Sequence, residues 1–426
     1  MARLNIKFKK GETAHLEWGV VGEALADFPL VAQTPPLRLF TVDVPDEEAE
    51  ATMTYFQSLG CVERVTVDEE VQLDYVQRES IPLLDYVPDQ YALVRMDVFE
   101  AHKYQKGDPS IVVAIVDTGL LAAHTEFVGR GIIGYSYNNT ADPWDSPGNN
   151  HGTATASCIS PSYDTGKVTA VAPNVTLMPI RASIGAASSF SVANLVTAIT
   201  IAVGNGADIL SYSIGGSTES VDLNDAFQYA IDNGVLITKS AGNNGESGGT
   251  PSTPVREDCI SVGSIDVEDN VSFFSSYGPT VDIVAPGSDI VTAGITNTTS
   301  YISVSGTSFS CPHVAAVCAL VKSENPNLTN AQITAIITSE VTKVSDPNFD
   351  SLFNKPGGIG CVSALKAVLK ARSMKAENLT SSFGYVRFIG ESTTKTFRSI
   401  TEEGIDNGYL ETTVTEPIQA EIGSYG

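Results

Sequence analysis

Ile111-Val112-Val113-Ala114-Ile115-Val116-Asp117-Thr118-Gly119 is an unbroken apolar run that ends on a carboxylate and a glycine turn. A run with no polar alternation reads as a strand covered on both faces. Ala207–Ile214 and Val235–Lys239 have the same largely apolar pattern. Helical spacing lies between or beyond them, at Val192–Val203, Leu223–Asn233, Cys311–Ser323, Asn330–Ser339 and Val362–Arg372. Strands alternating with helices predict an α/β fold, a parallel sheet with helices on both faces. In such sheets chemistry gathers at the carboxyl ends of the strands, which is where Asp117 stands.

Outward from this centre the pattern changes twice, and three domains follow. Residues 1–86 are richer in charge and predict a small α+β module, with strands at Leu37–Val44, Val62–Val67 and Val71–Tyr75 and an acidic-capped helix at Pro45–Leu59. Residues 87–372 carry the strand–helix alternation. Residues 373–426 form a short C-terminal extension of undefined role, with alternating runs at Tyr385–Ile389 and Leu410–Val414.

The chain has 426 residues, 42% of them apolar and 18% charged, a composition that buries a proper core. Its formal charge of −25 argues against nucleic acid and anionic membranes as partners, since both are bound through clustered Lys and Arg. No apolar run reaches the roughly 18 residues that a membrane span needs. No apolar stretch follows the basic residues of Met1–Lys10, so a secretory signal is not expected, and a cytoplasmic or non-classically exported protein is favoured. Six cysteines without metal-type spacing predict free buried thiols, in keeping with a reducing compartment.

Four residues carry the chemistry. Asp117 ends its strand. His151, in Asn149-Asn150-His151-Gly152-Thr153, is expected on the first turn of a helix capped by Asn150. Ser308 lies in Ser305-Gly306-Thr307-Ser308-Phe309-Ser310-Cys311-Pro312-His313, with Pro312 expected in the first turn of the following helix. A serine at a helix start also offers a backbone N–H to a developing oxyanion. Asn243, after Ser240-Ala241-Gly242, could add a side-chain amide to the same oxyanion. Singly these read as a turn Asp, a structural His, an N-cap Ser and a turn Asn. Together they form the set a serine nucleophile requires: an imidazole to take its proton and a carboxylate to orient the imidazole.

The order Asp, His, Ser, with these local motifs, resembles the subtilase family. Asp117, His151-Gly152-Thr153 and Gly306-Thr307-Ser308 resemble its three catalytic motifs, and Ala241-Gly242-Asn243 its oxyanion segment. Ser213-Ile214-Gly215-Gly216 looks like the segment that pairs with extended substrate. Phe274-Ser275-Ser276-Tyr277-Gly278-Pro279 and Ala285-Pro286-Gly287 look like framework signatures. The similarity runs from about residue 87 to 372. It implies a serine endopeptidase with a subtilisin-like fold, acting on protein or peptide through an acyl-enzyme. Asp117, His151, Ser308 and Asn243 would be catalytic; Ser213, Ile214, Gly215, Ala241 and Gly242 would bind substrate.

The resemblance also implies a propeptide, a role that residues 1–86 match in pattern. This module would pack on the catalytic domain, and the chain would be made as a zymogen cut near Tyr75–Val87. A permanent docking domain is the other role open to it. Structural calcium is implied too, with Glu126 and Asp164 at the positions of the family's ion site. Ala154-Thr155-Ala156-Ser157 and Phe309 depart from the family pattern without removing a catalytic group. Ser240–Asn244 and the segment Glu246–Thr253 should shape the first specificity pocket, which is expected to take a neutral or apolar side chain. The alternatives are a non-catalytic subtilase-fold binding or assembly protein, and a peptide transferase or ligase using the same acyl-enzyme.

Overall fold

The computed structural model describes residues 1–9, 25, 28–72, 76–78, 90–137, 149–161, 167–183, 189–215, 220–247, 256, 258–355, 359–383, 385–389 and 419–423. The N-terminal module contains β1 (Ala2–Phe8), β2 (Leu30–Thr34), β3 (Leu39–Val44), helix α1 (Ala49–Ser58) and β4 (Val62–Val67). They form an antiparallel sheet in the order β2-β3-β1-β4. Leu4, Ile6 and Phe8 alternate along β1 and meet Phe40, Val42, Val44 and Phe56 in a closed core. The expected strand and helix at 37–59 appear slightly shortened, and β1 joins them as a strand that the sequence reading left out.

Two short strands follow, β5 (Glu70–Gln72) and β6 (Val76–Arg78), before the α/β domain begins. That domain holds β7 (Val112–Asp117), β8 (Tyr135–Ser136), α2 (His151–Ile159), β9 (Thr176–Arg181), β10 (Ser189–Ser191), α3 (Val192–Gly204), β11 (Ile209–Tyr212) and α4 (Val221–Asp232). It continues with β12 (Leu236–Ser240), β13 (Ile260–Ile265), β14 (Ile283–Pro286), β15 (Ile290–Ala293), β16 (Tyr301–Ser305) and α5 (Thr307–Glu324). It closes with α6 (Asn330–Ser339), β17 (Val341–Thr342), β18 (Cys361–Val362) and the start of α7 (Ala364–Phe383).

The main sheet runs β17-β18-β14-β13-β12-β11-β7-β9-β8 and is parallel except for β17. Ala114, Val116, Leu210, Tyr212 and Ile237 face α3 and α4 in one apolar cluster. Ser211 and Thr238 meet Cys311 of α5, so α5 packs on the opposite face. This two-sided cover explains why β7 reads as continuous apolar sequence. The six cysteines are buried and unlinked.

Around residues 1–78 the two parts are joined by polar contacts, by strand additions and by Leu37 and Leu39, which pack into the apolar cluster of the α/β domain. Arg64 of β4 bonds Asp222 and Asp225 of α4, Lys7 bonds Asp225, and Thr66 Oγ1 donates to Asp222 Oδ2 at 2.6 Å. Asp68 Oδ1 accepts from the Ala193 N–H, in the first turn of α3, at 2.8 Å. β5 pairs antiparallel with β10, and β6 with β16.

The chain divides into two compact units, Met1–Val368 and Leu369–Gly426. The latter includes β19 (Tyr385–Ile389) paired antiparallel with β20 (Gln419–Gly423), which matches the expected run at Tyr385–Ile389. The run at Leu410–Val414 lies outside the described residues. No helix among the described residues is long and apolar enough to cross a membrane.

Candidate active site

β7 delivers Asp117 at its carboxyl end, and the chain turns at once through Gly119, whose φ of +115° favours glycine. The α2 helix starts on His151 because Asn149 Oδ1 accepts the His151 N–H at 3.2 Å. Asn150 stands at the N-cap but its side chain makes no capping bond, contrary to the expectation that it would cap the helix. The two-residue reach of an Asx-type bond favours the earlier asparagine.

Gly152 lets α2 close on the Asp117 turn, for a Cβ there would lie 2.1 Å from the Gly119 carbonyl oxygen. The result is a fully buried His151 with Nδ1 at 2.8 Å from both carboxylate oxygens of Asp117. An ionised carboxylate only accepts, so Nδ1 carries the proton and Nε2 presents the lone pair. Thr118 N–H and Thr155 Oγ1 also donate to the carboxylate, at 2.7 and 3.3 Å. Neither threonine was singled out from the sequence, although Thr155 is one turn beyond His151.

Ser308 comes from β16 through Gly306 into α5. The helix begins at Thr307, four residues earlier than the apolar spacing predicts, so Pro312 sits inside it and not in its first turn. The framework signatures act here. Ser310 Oγ donates to the Ala285 carbonyl at 2.9 Å, and the Gly306 N–H donates to the Gly287 carbonyl at 2.8 Å. A Cβ on Gly287 would come within 2.2 Å of Ser310 Oγ. Phe309, fully buried, lies with its ring centre 5.6 Å from that of His151. Ser157 points inward as well, bonding Thr153 and the Ala293 N–H. These two departures from the family pattern pack behind the centre.

Asn243 follows β12 in a segment tied to the same helix. Its Oδ1 accepts from the Thr307 N–H at 2.8 Å and from Thr307 Oγ1 at 2.9 Å. A backbone N–H can only donate, so the amide orientation is fixed and Nδ2 is the opposite, donor end. Gly242, at φ +102°, donates to Thr307 Oγ1 and accepts from the Ser276 N–H, while the Ala241 N–H donates to the Val262 carbonyl. Ser213, Ile214 and Gly215 continue beyond the end of β11, outside any ladder among the described residues. Of the specificity segment, residues 248–253 lie outside the described residues.

His313 follows the serine motif but is buried, bonds the Pro286 carbonyl, and is pushed down to about 4 by burial. It stays neutral and has no part in proton transfer at ordinary pH.

Glu126 is buried too. Its Oε1 accepts from the Lys167 and Val168 N–H groups at 2.6 and 3.1 Å and from the Tyr301 hydroxyl at 2.6 Å. Burial and this carboxylate push the Tyr301 hydroxyl up to about 12. Glu126 Oε2 is buried with no hydrogen-bond partner among the described residues. Asp164 lies outside the described residues, and no cluster of three or more His, Cys, Asp or Glu able to hold a metal occurs among the described ones.

A parallel sheet with a buried Asp–His pair, and a serine at the start of the helix whose Phe309 meets the His151 ring, fits the class of α/β serine hydrolases. Comparison narrows it. Residues 108–355 match the subtilase family model. The chain is 33% identical over 263 residues to subtilisin DY of Bacillus licheniformis, covering 61% of this chain and 93% of that one. It is 36% identical over 239 residues to thermitase of Thermoactinomyces vulgaris, covering 55% and 81%. In fold it is similar to fervidolysin from Fervidobacterium pennivorans, a keratinolytic enzyme related to subtilisin, with a TM-score of 0.70 at 21% identity. That match covers 86% of this chain and 61% of fervidolysin. The chain belongs to the subtilase family and is a subtilisin-like serine endopeptidase.

Proposed function

We propose that Ser308 attacks the peptide carbonyl while His151 Nε2 takes its proton, with Asp117 holding the imidazolium. The observation that carries this reading is the buried His151 Nδ1 at 2.8 Å from both oxygens of Asp117, with Phe309, the neighbour of Ser308, against the His151 ring. His151 then returns the proton to the leaving amine, and water repeats the sequence on the acyl-enzyme. Asn243 Nδ2 and the Ser308 N–H, a first-turn amide with no helical carbonyl to meet, hold the oxyanion. Substrate lies as an added strand along Ser213, Ile214 and Gly215, with Ala241 and Gly242 lining the next wall. Fluorophosphonate labelling read by intact mass tests this. One adduct, absent from Ser308→Ala, is expected; an unlabelled chain, even after limited proteolysis, would refute it. Peptide turnover should drop roughly 10⁶-fold in Ser308→Ala, the size seen when such a nucleophile is removed.

The N-terminal module is proposed as an intramolecular propeptide. Support comes from the chain on either side of residues 73–75. It is held first by β10 and then by β16, and Val76 pairs with Ser305, three residues before Ser308. A chain cut near Tyr75–Val87 would lose the residues before the cut in wild type and keep full mass in Ser308→Ala.

Calcium is proposed at Glu126 with Asp164. The buried, unpartnered Glu126 Oε2 supports it, being an oxygen that suits a hard cation. The ion would supply the positive charge that the buried Glu126 carboxylate lacks. Wild type should melt higher in calcium than in chelator, and Glu126→Gln should abolish that difference; equal melting in both conditions would exclude the site.

A further inference from the structure

Pro312 removes one N–H from the interior of α5. The lost bond is the one that would run to the carbonyl of Ser308, four residues back. Ser308 is buried, and a buried carbonyl left without a donor is costly. The donor comes from outside the helix: Ser213 Oγ bonds the Ser308 carbonyl at 2.9 Å. In return Ser308 Oγ donates to the Ser213 carbonyl at 3.0 Å.

These crossed bonds have different fates in the reaction. Ser308 Oγ must leave the Ser213 carbonyl before its proton can pass to His151. The Ser213 hydroxyl has no such duty and can stay on the Ser308 carbonyl throughout. A regular helix bond would draw that carbonyl along the α5 axis and leave the first turn indifferent to the cleft wall. A side-chain bond from Ser213 instead ties the turn to the segment that substrate is to lie against. Misplacing a reacting group by about 1 Å can cost roughly 10²-fold in rate.

We propose that the Ser213 hydroxyl is a positioning residue for the nucleophile, supplying the hydrogen bond that Pro312 withdraws from α5. The inference rests on Ser308 being the nucleophile. It goes beyond the role of Ser213 as a backbone partner for substrate, because it assigns a task to the side chain.

The test compares wild type, Ser213→Ala, Ser213→Thr, Pro312→Ala and the Ser213→Ala/Pro312→Ala double variant. Peptide kinetics, the rate of fluorophosphonate acylation and Tm are read on each. Ser213→Ala should lower kcat and the acylation rate about tenfold with KM nearly unchanged, and Ser213→Thr, which keeps the hydroxyl, should recover most of it. Pro312→Ala gives the Ser308 carbonyl a helical N–H, so Ser213→Ala on that background should cost twofold or less. An equal loss on both backgrounds overturns the proposal. So does a Ser213→Ala variant that melts lower yet acylates at the wild-type rate. A wild-type chain inert to substrate and to fluorophosphonate would instead overturn the assignment of Ser308, so the two failures are told apart.

Discussion

At the proposed catalytic centre, parts that meet near Ser308 are joined by buried main-chain bonds, close glycine approaches and an apolar core on both sides of the sheet. Gly152 closes on Gly119, Gly287 on Ser310, and the Asn243 amide is pinned by the Thr307 N–H. At the N-terminal module the joining groups are charged side chains, Lys7 and Arg64 against Asp222 and Asp225, the apolar Leu37 and Leu39, and the three-residue strands β5 and β6. The first kind of attachment has few alternatives and defines a single geometry. The second joins the apolar contact of Leu37 and Leu39 to ion pairs whose charges can return to water on separation. A centre that must stay built and a module proposed to leave therefore differ in the way their chemistry requires.

The sharpest way to break this contrast is at the centre. Asn243→Ala removes both the proposed oxyanion donor and the acceptor that holds Thr307. Loss of one such donor lowers kcat by about 10²–10³, and steady-state kinetics on active-site-titrated enzyme would show it with KM little changed. A loss below tenfold would mean that Asn243 serves only to fix Thr307.

Next in size is the module. Asp222 is buried and bonded by Arg64 and Thr66, and breaking such a pair leaves Arg64 without its main partner. Removal of one partner of a fully buried pair costs roughly 3–5 kcal/mol. Arg64 keeps a fifth of its side chain exposed, which lowers this to about 2 kcal/mol, near thirtyfold in opening. In a Ser308→Ala background, which keeps the chain intact, Asp222→Ala should speed hydrogen exchange of β1–β4 by that factor while β7 and β11–β13 stay protected. Parallel acceleration in both regions would erase the distinction drawn above.

How much of this could be read from sequence follows the same division. β7 and β12 were legible because two-sided burial leaves a continuous apolar run. Asp117 at a strand end and His151 at a helix start were legible because each sits in a short motif whose turn chemistry is local. The start of α5 was misjudged because Pro312 signals a first turn unless a side chain from far away replaces the bond it removes, and Ser213 does so from 95 residues back. β1 was passed over although Leu4, Ile6 and Phe8 alternate, since Asn5 and Lys7 between them are also buried, a burial supported by Asp68 and Asp225. The Arg64–Asp222 contact spans 158 residues and left no local signal.

The smallest effect concerns pH. Burial alone would raise the Asp225 carboxyl, but hydrogen bonds from Lys7 and Arg64 together hold it below its ordinary value of 3.8. A carboxylate depressed in the folded state adds stability that is fully present above 3.8 and is lost as pH falls through the lower, folded value. Asp68 opposes this: burial raises its carboxyl despite the bonds from Ala193 and Asn5, so its protonation on acidification relieves a cost. Asp225→Asn should therefore loosen the module by less than about 1 kcal/mol near neutrality, since the ion pairs are partly exposed. Between wild type and variant the difference should shrink below pH 3.8. Hydrogen exchange of β1–β4 along a pH series, corrected for intrinsic rates, reads this directly. A difference that stays constant down to pH 2 would assign the hold on Lys7 and Arg64 to Asp222 and to Glu63, which lies 3.7 Å from each cation, leaving Asp225 as a neutral spacer.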